Sequence, residues 1–222
     1  MTSPDPHGTA QPDVVAAMRG DLADWRQWLA RLIVLAAASV AGLSVVAFSK
    51  LCDLATLGFK TVTDLHPLMP LAWTPVCTMA VVWLTRRFAP GAAGSGIPQV
   101  MATLDPAFPP ESRSVFVSLR MSVAKMVLTA GSLLGGLASG REGPSVQIAA
   151  GVMQHARRWL PPHPGISDHG MRVAGGAAGI AAAFNAPLAG VMFAIEELAS
   201  RLEQRSSGLI IAAIVLSGLM GV

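Results

Sequence analysis

The chain has 222 residues, 52% hydrophobic and 13% charged, with a formal net charge of +3 and a mean hydropathy of +0.53. Soluble domains carry about 25% charged residues, so this balance argues against a soluble domain and for a membrane protein. The basic excess forms no run and has no interleaved aromatics, so no nucleic-acid partner is expected; in a membrane protein it marks cytoplasmic loops.

Residues 1–24, opening "MTSPDPHGTAQPDVV", are polar and proline-rich and read as a disordered or cytoplasmic tail. Residues 25–222 read as one membrane domain. The first apolar run, Leu29 to Phe48, holds about 20 residues and one arginine, enough to cross a ~30 Å hydrocarbon core. It is too long, and too far into the chain, for a cleaved signal peptide. The amphipathic stretch "SKLCDLATLGFKTVTDLHPLMP" follows, either the continuation of a long tilted helix or an external connection.

A second run, Leu68 to Leu84, is closed by Arg86 and Arg87, and then "APGAAGSGIPQVMATLDPAFPPES" has too much Gly and Pro for a continuous span. A third helix, Val115 to Leu137, carries Arg120 and Lys125 and stops at "ASGREGP", where a fourth begins and runs to about Trp159. Two apolar pieces come next, "VAGGAAGIAAAF" and "APLAGVMFAIEEL", each too short to span comfortably. A last helix begins near Ser207. Arg19, Arg26, Arg31, Arg86, Arg87, Arg157, Arg158, Arg172, Arg201 and Arg205 can share one face, with Lys50 and Lys60 the exceptions. That positive-inside pattern argues for one fixed orientation, and a multi-pass inner-membrane protein with a cytoplasmic N-terminus is expected.

Interrupted helices are the informative feature, because irregular backbone at membrane depth is tolerated only inside protein or beside a water-filled cavity. Discontinuous helices whose N-termini face an anion build midplane sites in transporters. Three constellations fit. In "GSGIPQV", Ser95 is expected as an N-cap with Pro98 in the first turn, and the free N–H groups make the helix end attractive to anions. A phosphate-cradling loop would need a Gly-Lys-Ser/Thr ending, which is missing here. In "LASGREGPSVQIAA", Gly140 is expected to end one helix, Pro144 to open the next, and Glu142 to sit at its start. That carboxylate either complements the helix dipole or occupies an anion site that protonation would free. Arg141 either balances Glu142 or holds the outer mouth. In "AAFNAPLAGVMFAIEEL", Asn185 and Pro187 mark a helix start, and the adjacent Glu196 and Glu197 cannot share one helix face.

Together and in this order, "GSGIP", "GREGP" and "AAFNAPLAGVMFAIEE" resemble the first-half signatures of the CLC family of chloride channels and chloride/proton exchangers. The resemblance covers residues 25–222 and implies an all-α, polytopic membrane fold with broken and re-entrant helices, built as one half of an inverted-topology repeat. It implies an anion site with Ser95 donating its hydroxyl, backbone groups around Gly96, Ile97 and Pro98 beside it, and Gly140, Arg141 and Gly143 on the facing loop. Glu142 would be the gating glutamate and Glu197 the internal proton-transfer glutamate. The implied partners are chloride, protons, the lipid bilayer, and a second copy bound through the C-terminal helices.

The family's second half would supply a further helix start and a tyrosine to the anion site; this chain contains no tyrosine. The chain is therefore expected to be the N-terminal half of a chloride/proton antiporter. The alternatives are a passive voltage- or pH-gated chloride channel and a non-transporting membrane partner of a full-length relative. No enzyme activity, metal or cofactor is expected: five histidines are scattered without metal-ligand spacing. Cys52 and Cys77 read as small core residues.

Overall fold

The computed structural model describes residues 25–162, 166–198 and 207–220, with the backbone alone for Glu197, Leu198 and Ser207. The tail, Arg201 and Arg205 lie outside the described residues. All the regular structure described is helical.

Helix α1 runs unbroken from Trp25 to Leu65, 41 residues or about 62 Å, twice the thickness of a hydrocarbon core. The expected run to Phe48 is therefore only its first half, and the amphipathic stretch is its continuation. Its buried stripe, from Ala30 through Val34, Ala37, Ala38, Ala41 and Val45 to Cys52, keeps the helical period and then stops. Beyond Cys52 the helix has left the core, which is why its sequence turns mixed. Cys77, on α2, is only half-buried.

Helix α2 (Met69–Phe88) opens with Pro70 and ends with Arg86 and Arg87 against its negative dipole end. A single 3-10 turn, Pro90–Ala92, leads to the short α3 (Ile97–Leu104). The expected third helix divides in two, α4 (Pro110–Phe116) and α5 (Leu119–Leu134). Ser118 sits between them in extended conformation, and its hydroxyl accepts from the Met121 N–H at 3.4 Å, starting α5 afresh. The end of α5 also differs from expectation. Gly136, not Gly140, is the left-handed glycine, with φ +84°; Leu137 N–H donates to Ser132 O at 3.0 Å and closes the terminus. Residues 137–140 are then a non-helical strand of chain, and α6 (Glu142–Ala156) begins after it.

Helices α6 and α7 (Asp168–Phe184) form the centre. Of the short apolar pieces, "VAGGAAGIAAAF" is the body of α7, whose 13 buried residues make it a core helix. Its small residues let backbones touch: a Cβ on Gly179 would lie 2.5 Å from Ser145 O on α6. Asn185 does not open the next helix but closes α7, in left-handed conformation at φ 50°, ψ 40°. Ala186 then caps α8 (Pro187–Phe193), which ends in a π-helical turn, Ala194–Leu198. Helix α9 (Ser207–Leu219) packs across α1, α7 and α8, and the buried Ser217 hydroxyl donates to Ala178 O at 3.1 Å.

Candidate functional site

Two of the three constellations meet backbone to backbone. A Cβ on Gly96 would sit 2.5 Å from Gly143 O, and one on Gly143 would sit 2.6 Å from Ser95 O. The glycines at these two points are what lets the start of α3 touch the start of α6. Gly96 has a second reason to be glycine, a φ of +115° that L side chains rarely adopt.

The caps differ from the sequence expectation. Gly96, not Ser95, is the N-cap of α3, and Ser95 stands one residue outside it, exposed. Gln99 replaces the serine as the capping side chain: its Oε1 accepts from the Gly96 N–H at 2.9 Å, and its Nε2 donates back to Ala93 O. The Gly96 N–H is therefore committed within the protein. Of the residues here that line the cleft, Ser95 offers its hydroxyl and Ile97 an N–H with no acceptor within its own helix; Pro98 has no N–H.

Glu142 is the first residue of α6, with Pro144 in the first turn and Arg141 at the cap. Ser145 closes the turn, donating its N–H to Arg141 O at 3.0 Å and its hydroxyl to the same oxygen at 2.8 Å. The Glu142 carboxylate folds back over the chain before it, its Oε2 3.0 Å from where a Gly140 Cβ would be. Arg141 turns the other way, and Nη1 meets Asp53 Oδ1 on α1 at 2.7 Å. Of the two roles open to Arg141 in the sequence, balancing Glu142 is thus set aside, since its partner is Asp53.

An open cleft of about 770 Å³ runs between these loops. Ser95, Ile97, Gly140, Glu142 and Gly143 line it; Gly96, Pro98 and Arg141 do not. Glu197 falls in the π-helical turn at the end of α8, and its side chain lies outside the described residues; Glu196 beside it is exposed.

The sequence reading gave no role to two buried polar side chains that hold this arrangement. Lys125, on α5, is only 2% exposed, lines the cleft, and donates from Nζ to Ala92 O at 2.8 Å and Gly94 O at 2.5 Å. Two of its three donors thus brace the loop that carries Ser95, while its charge makes the cleft positive. The signal was one lysine inside an apolar helix, where an ionisable group is costly and by default functional. Gln147, wholly buried on α6, donates from Nε2 to Gly91 O and Phe116 O, both at 2.9 Å. It ties α6 to the segment before α3 and to the end of α4.

Replacing Lys125 with methionine is expected to lower the unfolding temperature, because two loop carbonyls lose their donor at about 1–3 kcal/mol each. Thermal unfolding of the detergent-solubilised protein, parent against variant, checks this effect.

The family model described as voltage gated chloride channel matches residues 77–222. The chain is similar to the H(+)/Cl(-) exchange transporter ClcA of Citrobacter koseri, 37% identical over 213 residues, covering 89% of this chain and 43% of that protein. It is 34% identical over 163 residues to the ClcA of Vibrio parahaemolyticus, covering 71% of this chain and 33% of the relative. Among solved structures it resembles a slow cyanobacterial Cl-/H+ antiporter, with a TM-score of 0.70 and 24% identity, over 86% of this chain and 45% of the other. The chain therefore spans less than half the length of each of these relatives.

Proposed function

Because this chain belongs to the CLC, or voltage-gated chloride channel, family, we propose that it forms part of a secondary transporter exchanging chloride for protons. The observation that carries this reading is the backbone contact of Gly96 with Gly143. That contact brings two helix N-termini, the Ser95 hydroxyl, the Lys125 charge and the Glu142 carboxylate onto one cleft.

Helix N-termini and a buried ammonium make a site for a small anion without a metal. A chloride ion there takes the Ser95 hydroxyl and the Ile97 N–H as donors. Glu142 carries its own negative charge to the same place, and two anions cannot share it. Protonation neutralises the carboxylate and releases the site to chloride, so each anion passage is tied to a proton step. Glu197 passes the proton on towards the cytoplasm. Transport needs no bond making beyond proton transfer, and we read the chain as a transporter component rather than an enzyme.

Two further assignments belong to the same proposal. The relatives are bacterial membrane transporters, and the arginine distribution supports an inner-membrane protein with a cytoplasmic N-terminus. A homodimer through α8 and α9 stays part of the proposal on the family resemblance alone, since their exposed Leu188, Met192, Ile211 and Leu219 suit lipid as well as a second copy.

The test uses the transporter that carries this chain, reconstituted into liposomes. An imposed chloride gradient should drive protons uphill, whereas a passive channel moves none against their gradient. Glu197→Gln is expected to reduce that proton movement to background and leave chloride flux within about twofold. Undiminished proton pumping in Glu197→Gln would remove Glu197 from the proton path.

A further inference from the structure

The ion pair between Asp53 and Arg141 joins residues 88 positions apart and sits directly beside the residue proposed as the gate. Its geometry is specific: Arg141 Nη1 is 2.7 Å from Asp53 Oδ1 and 3.5 Å from Ser49 O, both acceptors on α1. The side chains are 46% and 57% exposed, so as a stabilising contact the pair is worth little. Its position suggests another role. Arg141 is the cap residue of α6 and Glu142 the first residue of that helix. A guanidinium one residue away could reach the Glu142 carboxylate, yet it is drawn to the opposite side.

Among the described residues, the titratable groups lining the cleft are Arg86 from α2, Lys125 from α5 and Glu142 itself. Two of these three are cations, so the cleft lining carries a net positive charge before Arg141 is counted. Glu142 must give up its negative charge to work as a gate, and a third cation nearby would oppose protonation. We infer that Asp53 is a positioning residue. It holds the Arg141 guanidinium on α1 and cancels its charge, so that Glu142 can take up a proton in an otherwise cationic mouth.

The physical consequence has one sign whichever way the freed arginine moves. Without Asp53, Arg141 either pairs with Glu142 or remains an uncompensated positive charge beside it, and both favour the ionised carboxylate. Without Arg141, the lone Asp53 carboxylate acts in the opposite direction. Removing both leaves the net charge of the region unchanged and should cancel the effect. The importance of this for transport rests on the gating role proposed above, but proton binding by Glu142 can be measured without any transport.

The experiment is infrared titration of the ¹³C-labelled glutamate carboxyls in the detergent-solubilised transporter carrying this chain, with the matching Glu142→Gln protein subtracted. In Asp53→Asn, Glu142 should bind its proton about threefold to tenfold more weakly. That is the lower end of what an adjacent opposite charge does, since solvent screens these side chains. Asp53→Glu should restore the original titration. Arg141→Gln should shift it the other way, and the Asp53→Asn/Arg141→Gln pair should return it close to the starting point. A purely structural tether would leave the double variant as perturbed as Asp53→Asn, and that result overturns the inference. So does an unchanged titration in both single variants. If Asp53→Asn does not fold, the opposite shift in Arg141→Gln still decides. If the titrations move as expected and no variant changes transport, the inference about Asp53 stands and the gating role of Glu142 falls.

Discussion

Replacing Glu142 with alanine is expected to leave chloride flux in place while coupled proton movement falls to background and the pH dependence of transport flattens. The separation is expected because the groups proposed to hold the anion and the group proposed to carry the proton are different. The Ser95 hydroxyl, the Ile97 N–H and the Lys125 ammonium belong to α3, its approach loop and α5, and the carboxylate is a side chain of α6 whose loss spares that helix's backbone N-terminus. Truncation at Cβ removes the competitor for the site and leaves the backbone of α6 undisturbed, since alanine is the best helix former. Glu142 is also exposed in the cleft, so its loss leaves no buried cavity. Parallel recordings of chloride efflux and proton uptake in liposomes make the comparison directly. Proton uptake still locked to chloride efflux in Glu142→Ala would disprove the gate assignment and leave the anion site untouched.

The second large effect is expected from a single methyl group. Gly96→Ala places a Cβ 2.5 Å from Gly143 O and 3.1 Å from the Gln147 Cβ, in a residue whose φ is +115°. Backbone strain of this kind costs about 1–3 kcal/mol, and overpacking a close contact costs a further 1–3 kcal/mol or so. Relief requires the two helix starts to separate, which pulls the Ser95 donor and the loop that Lys125 braces away from the α6 side of the cleft. Chloride affinity should drop at least about tenfold, with a lower unfolding temperature. Gly143→Ala should do nearly the same, because its Cβ would press on Ser95 O from the other side at 2.6 Å. Gly208→Ala is the control: among the described residues nothing lies within 4 Å of its added methyl, and it should behave as the parent protein. Equal chloride binding in Gly96→Ala and Gly208→Ala would show that the contact does not hold the site.

Much of this was legible without coordinates. Long apolar runs, scarce charges and Gly-Pro interruptions follow from the hydrophobic effect and from the demand that backbone groups be satisfied in lipid. Those demands act locally, so they leave their mark in the order of residues. They identified an all-helical membrane chain with broken helices, the motifs "GSGIP" and "GREGP", and Glu142 at a helix start. Helix termini were harder. Gly96 rather than Ser95 caps α3, Gly136 rather than Gly140 closes α5, and Asn185 ends α7 instead of opening α8. Each pair of candidates has similar cap propensity within a few residues, and packing chose between them.

What the tertiary structure alone decided is which distant residues share a space. Nothing in the order of residues says that Gly96 abuts Gly143, or that Lys125 spends its donors on Ala92 and Gly94. Nor does it say that Arg141 would choose Asp53, 88 residues earlier, over the glutamate next to it. Side-chain chemistry states what each group can bind, while the partner it meets depends on how α1, α5, α6 and α7 pack. In this protein the small residues of α7 and the paired glycines set that packing, and through it they decide which charges face the cleft.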